Sequence, residues 1–340
     1  MYPTGADGVF PTFGRTGANF EPMRTGTLLV SGLAIAGFLL GAPANRRSSA
    51  VRRAPAEIRD RTAASVLRAQ ILLDRARFSP GEIDGRQGDD LGVALRSYQE
   101  VHHLKETGIA DAETLRLLNR DTRPLTRRYV ITEQDVKGPF TPIPADVQEQ
   151  ARMKYLGYES PAEALGEKFH CSPKLLAEWN PGKSLDKAGE AIEVPNVVAH
   201  PAARAVRVVV SKSKRTVTAY GAHDRVLAVY PATMGGPHDP LAIGDWKIIS
   251  VDQNPWFYYD PVHFWNASPD ESTAKLPPGP NNPAGSVWMG LSKPHYGIHG
   301  TPDPGHIRHG ESAGCIRLTN WDAEDLAHMV RRGTPAILEE

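Results

Sequence analysis

The chain lacks an excess of charge of either sign: of its 340 residues, 39 are Lys or Arg and 39 are Asp or Glu. That balance supplies no basic surface for a polyanion, so nucleic acid is not an expected partner. Cysteine is nearly absent, with Cys171 and Cys315 alone. The twelve histidines do not make up the shortfall, because they are scattered, and His295, His299, His306 and His309 share a loop with only one cysteine. Structural zinc draws on paired Cys or His ligands at short regular spacing; no metal and no cofactor are expected here. Long apolar runs are missing too. The uncharged stretch 27–41, TLLVSGLAIAGFLLG, is short of the ~20 residues that a helical bilayer span needs.

Arg24 precedes that stretch, and Ala42, Pro43 and Ala44 follow it in the A-x-A pattern of a signal-peptidase site. Residues 1–44 therefore read as a leader and secretory signal, with Met1 or Met23 as the start; an uncleaved N-terminal anchor is the alternative. Both readings put the body of the protein in the periplasm or cell envelope. Residues 45–61, with Arg46, Arg47, Arg52 and Arg53 among Pro and Ser, lack an apolar stripe and read as a tether. Export would permit a disulfide, but Cys171 and Cys315 fall in different expected domains, so both are expected to be unpaired.

What is present centres on residues 296–317, YGIHGTPDPGHIRHGESAGCIR. A thiol becomes a nucleophile when a nearby base takes its proton, and imidazole suits that task near neutrality. His299 follows an apolar run, Val287, Trp288 and Met289, that reads as a strand. An irregular loop then returns the chain to Cys315. The Gly300 carbonyl is available to fix the ring's tautomer, and Gly314 allows close approach to amides that would form an oxyanion hole. On the residues alone, a lone cysteine is most often a small buried hydrophobe.

The strings IHGTP, SAGCIRLTNWDA and RRGTPAI together resemble the L,D-transpeptidase catalytic domain, the YkuD-like family of cell-wall enzymes. The resemblance implies that Cys315 is the acylated nucleophile, His299 the base and Gly300 the carbonyl that orients it. Ala313 stands where many members carry histidine, which leaves no second imidazole. Ser312, Ala313 and Gly314 form the oxyanion loop of this reading. Arg317, Tyr296 and Asn320 are its candidate substrate-binding residues; Arg317 has a structural ion pair as the rival role, and Ser312 and Asn320 are expected to hold the loop rather than react. His306 and His309 read as exposed loop residues.

Upstream, Val66, Ala69, Leu73 and Ala76, then Leu91, Ala94, Tyr98 and Val101, recur at helical spacing, and Asp111 is suited to cap a third helix with Leu115 and Leu118. The order AQILL, SPGEIDG, ALRSYQ and TGIADAETLRLL resembles the peptidoglycan-binding domain type 1, over residues 62–120. Asp84 and Gly85 are expected to shape its loop, with direct ligand contact as the minority reading. Over residues 128–198, YVIT and AIEVPNV read as strands. Ser160 with Pro161 and Glu163, and Ser172 with Pro173, start helices between them. This unit resembles a LysM-type repeat, which implies binding to N-acetylglucosamine glycans; Trp179 is open to either sugar stacking or core packing.

Residues 204–340 should be mainly β. RVVVSKSKRTVTAYG and RVLAVYPATMG form a hairpin pattern, GDWKIISV and SVWMGL add strands, and Asn320 is suited to cap a helix from Trp321 to about Arg331 that Gly333 ends. The family resemblance adds a β-sandwich with Cys and His in a cleft under a mobile hairpin, to which the aromatic stretch 252–271 is assigned. The expected fold class is thus multi-domain: a small three-helix peptidoglycan-binding domain, a small α+β LysM-like module and a mainly-β catalytic sandwich. The resemblance implies a Cys315 thioester on the peptidoglycan stem, release of D-alanine, and resolution by an acceptor amine, with an envelope-protein lysine among the possible acceptors. Carbapenem-type inhibitors are expected to acylate the same thiol. Two other readings stand beside it, an L,D-carboxypeptidase and a non-catalytic wall-binding protein.

Overall fold

The computed structural model describes residues 56–197, 203–263, 267 and 270–340. The expected signal, 1–44, lies outside the described residues. Helix α1 (Ala56–Arg75) starts inside the segment read as a tether, since Ala56, Glu57 and Arg59 favour helix although they build no apolar stripe. With α2 (Asp89–Val101) and α3 (Ala112–Leu118) it forms the first unit. Asp111 caps α3 by accepting the Thr114 amide. In the SPGEIDG loop, Gln70 donates to Asp84 at 2.9 Å and accepts the Gly85 amide at 2.8 Å, so these residues hold the turn.

The second unit is a two-stranded antiparallel ribbon of β1 (Thr126–Val130) and β2 (Ala191–Pro195). Between the strands lie α4 (Val147–Arg152), α5 (Pro161–Lys168) and α6 (Pro173–Trp179). Ser160 accepts the Glu163 amide and Ser172 the Leu175 amide, as the Ser-Pro starts predict. Cys171 lies in this unit's core and is unpaired, as is Cys315. Trp179 packs, half-buried, against that core.

The third unit is a sandwich. One sheet runs β5 (Val226–Pro231), β4 (Thr216–Tyr220), β3 (Arg207–Ser211), β13 (Pro335–Glu339) and β6 (Gly244–Lys247). The other runs β12 (Ile316–Arg317), β11 (Gly297–His299), β10 (Val287–Gly290) and β7 (Asp252–Gln253). Val208, Val210, Val217 and Tyr230 of the first sheet meet Val287, Met289, Ile298 and Ile316 of the second in one core, with Leu326 of α7 (Asn320–Met329). From the aromatic stretch, β8 (Phe257–Tyr259) pairs antiparallel with β9 (Ala274–Leu276) just beyond it.

The units are not strung apart. Phe78 bridges Val229 of β5, and Ile83 bridges Cys171, each as an isolated parallel β-bridge. Val229 thereby completes the first unit's core, and Ile71 and Ile83 complete the second's. Polar contacts close the three-way junction: Ser79 donates to Asp322 at 2.7 Å, and His170 meets Asp74 at 2.9 Å.

Candidate active site

Strand register decides which side chains meet. β11 and β12 are parallel, with Ile298 opposite Ile316 and His299 opposite Arg317. Ile298 and Ile316 turn into the sandwich core, so the alternate residues His299, Cys315 and Arg317 turn to the other face. There Cys315 joins Trp288, Phe257, Tyr259 and Leu276, which puts the β8–β9 hairpin over the thiol. Cys315 is 1% exposed and His299 4%.

Nδ1 of His299 lies 2.7 Å from the Gly300 carbonyl. A carbonyl only accepts, so Nδ1 carries the proton and Nε2 is the basic nitrogen. The Ala284 carbonyl also faces the ring, and Trp288, opposite on β10, stacks on it with centroids 5.2 Å apart. The Cys315 sulfur donates to the His295 carbonyl at 3.6 Å and faces the Gly297 amide. Thiol and imidazole thus share a sheet face, both buried, without a hydrogen bond between them among the described residues.

Burial favours the neutral form of each. Desolvation pulls His299 down to about 3, helped by the Arg317 charge and opposed by the two carbonyls. Desolvation likewise pushes the Cys315 thiol up to about 11, against the Gly297 amide and Arg317. Desolvation brings the half-buried Arg317 down to about 9. At neutral pH the resting pair is a thiol beside a neutral imidazole, the state from which a base can accept a proton.

The remaining candidates separate. Ser312 donates to the Cys315 carbonyl and holds the loop. Gly314 has φ +93°, and a Cβ there would come within 2.8 Å of the Tyr296 ring, so both backbone and space demand glycine. Tyr296 donates to the Pro240 carbonyl at 3.3 Å and flanks that loop. Ala313, half-buried, packs against the Cys315 cluster. Arg317 donates to the Glu311 carbonyl at 3.1 Å. His306 and His309 are exposed, His306 against Asp303 at 2.8 Å.

Asn320 differs from the expectation that it meets substrate or caps α7. Thr319 caps the helix, and Asn320 is 2% exposed with its carboxamide fully used. Its oxygen accepts the Ser286 amide at 3.0 Å; its nitrogen donates to Pro280 O at 3.1 Å and Glu167 at 3.3 Å. A Cβ on Gly285 or Gly300 would approach that oxygen to 2.1 Å. Asn320 therefore pins the turns on either side of His299, the one after Ala284 and the one at Gly300. The sequence pointed to a holding role for Asn320 but not to these turns, and it missed Trp288, whose signal was available: alternation puts it opposite the core-facing Val287 and Met289.

Among the described residues no group of three His, Cys, Asp or Glu side chains is arranged to hold a metal ion. Residues 205–338 match the L,D-transpeptidase catalytic domain, and residues 62–118 match a putative peptidoglycan binding domain. A putative L,D-transpeptidase YkuD from Bacillus licheniformis is 30% identical over 174 residues, 51% of this chain and 89% of the relative. The Bacillus subtilis protein of that name is 30% identical over 167 residues, covering 49% and 85%. Both alignments are longer than the catalytic match, and only two residues follow residue 338, so the similarity continues upstream into the second unit. Among solved structures, L,D-transpeptidase 3 from Mycobacterium tuberculosis, in complex with a faropenem-derived adduct, aligns over 45% of this chain and 75% of its own at 22% identity, with a TM-score of 0.32, too low to add to the argument. With a thiol and an oriented imidazole on one sheet face, a catalytic-domain match over residues 205–338 and relatives 30% identical over most of their own length, the chain belongs to the YkuD family of L,D-transpeptidases.

Proposed function

We propose that Cys315 is acylated by the stem tetrapeptide of peptidoglycan and His299 is its general base. The observation that carries this reading is the Nδ1–H bond to Gly300, which leaves Nε2 as the proton acceptor on the face that holds the thiol. The thiol proton passes to Nε2 as sulfur attacks the carbonyl of the third stem residue. The bond to terminal D-alanine breaks, and the leaving amine takes the proton from the imidazolium. An acceptor amine then attacks the thioester, gives its proton to Nε2, and the amide forms as the thiol is restored. Gly314 and the neighbouring amides stabilise the oxyanion, and Arg317 holds the substrate carboxylate.

The second unit's paired outer strands, with the Ser-Pro-started helices α5 and α6 between them, support a LysM-type glycan-binding role, and the helical unit supports attachment to the same polymer. Export by residues 1–44 fits a substrate outside the cytoplasm. Acceptors are a second stem or an envelope-protein lysine, and a carbapenem is expected to acylate Cys315. The deciding experiment gives purified protein a disaccharide tetrapeptide: D-alanine release with dimer formation is expected, together with a carbapenem adduct on Cys315 by intact mass. Tripeptide as the sole product would convert the reading to an L,D-carboxypeptidase. Folded protein with neither reaction nor adduct would leave a wall-binding protein.

A further inference from the structure

A cavity of about 510 Å³ opens between the second unit and α7, and neither Cys315 nor His299 lines it. Its size lies in the ~300–1,000 Å³ range of small-ligand sites, which concentrate at boundaries between units. Five aromatic rings line it: Phe140, Tyr155, Tyr158, His170 and Trp321. Tyr155 is 49% exposed, so the fold leaves a large ring in solvent beside a cavity instead of in a core. Trp321 is 7% exposed, stacked on His170 at 5.2 Å, and its indole nitrogen has no hydrogen-bond partner among the described residues. A buried donor without an acceptor is costly and calls for a specific cause.

The carboxyls point the same way. Glu167 of α5 receives Asn320 Nδ2 through one oxygen, and Glu324 of α7 receives the Ser286 hydroxyl through one oxygen at 2.6 Å. The second oxygen of each takes no hydrogen bond among the described residues. Burial and the neighbouring Glu324 push Glu167 up to about 8, so near neutrality its carboxyl both donates and accepts. Beside these rings the lining carries polar side chains, the Lys168–Asp135 ion pair among them, and rings alternating with hydrogen-bonding groups suit the hydroxyls and apolar C–H faces of a polyol.

We propose that this cavity is a saccharide subsite, in which one or two sugar units of a glycan strand lie against Tyr155 and Trp321 and exchange hydroxyl hydrogen bonds with Glu167 and Glu324. Its polymer is the one named under the proposed function, on which it rests. The site joins the second unit to the catalytic unit, so a strand held there is presented to both.

The test is calorimetric titration of the full chain with chitotetraose, repeated for Tyr155→Ala, whose ring is half-exposed and belongs to no core cluster, and for Trp321→Phe, which keeps a ring and removes the indole N–H. Each is expected to weaken binding about tenfold. D-alanine release from a sugar-free tetrapeptide should stay within about twofold of wild type in Tyr155→Ala. No chitotetraose binding by wild type, unchanged affinity in both variants, or displacement of the sugar by the stem peptide alone would overturn the proposal. Loss of turnover by the wild type would strike the proposed reaction, while the titration would still read the cavity.

Discussion

Two regions of this molecule bury titratable groups as neutral species, yet they respond to pH in opposite places. On the sheet face, His299 is held near 3 and Cys315 near 11, so neither changes charge around neutrality. At the junction of the units, Glu167 is raised to about 8 and Asp322 to about 7, both by burial first. The region that performs proton transfer is therefore quiet at physiological pH. The region that performs none titrates there, which teaches that a shifted pKa near 7 is not by itself the mark of a catalytic group.

The comparison breaks most sharply under substitution of the reacting atoms. Cys315→Ala should abolish D-alanine release, a loss of at least ~10³-fold measured by coupled amino-acid assay. His299→Gln should cost ~10²–10⁴-fold in turnover. Neither change should move the unfolding midpoint as far as it moves the rate; a variant that merely unfolds would refute the assignment. Next in size, Asn320→Ala should lower turnover by ~10²-fold with little change in KM, because it loosens the turns that aim the imidazole without touching substrate. A proportional rise in KM would instead return Asn320 to the substrate contacts.

Smaller effects concern stability. For His299 the folded value lies below the ordinary 6.5, so its contribution is present above that pH and lost as pH falls toward about 3. For Glu167 and Asp322 the folded values lie above the ordinary 4.5 and 3.8, so their contributions are present in acid and lost as pH rises through about 8 and about 7. Denaturant melts across pH should therefore show His299→Gln flattening the acid limb alone. Glu167→Gln and Asp322→Asn should flatten the decline between about pH 5 and 8. The same limb flattened by both sets would erase the distinction between the regions.

Much of the site was legible because chemistry and glycine demand particular residues. Cys315, His299, Gly300 and Gly314 are recognisable from type and order, and their strand ends follow from apolar alternation. Helix starts at Asp111, Ser160 and Ser172 were equally legible, since a side-chain oxygen three residues before a free amide is a local signal. What escaped was long-range. The role of Asn320 depends on Gly285, Gly300 and Glu167, which are brought to it by the fold, and nothing in LTNWDA announces them. The join between units escaped for the same reason: Phe78 and Ile83 look like ordinary core residues until their partners Val229 and Cys171 are known. The beginning of α1 was misjudged because the absence of an apolar stripe does not prevent a helix from extending past its packed face.

Those two bridges have a bearing on how the enzyme meets a solid polymer. Because Val229 and Ile83 each fill a neighbour's core, the distance from the helical unit to the thiol is a constant of the molecule, as on a ruler. The two units that match a putative peptidoglycan binding domain and a catalytic domain therefore share one fixed reach.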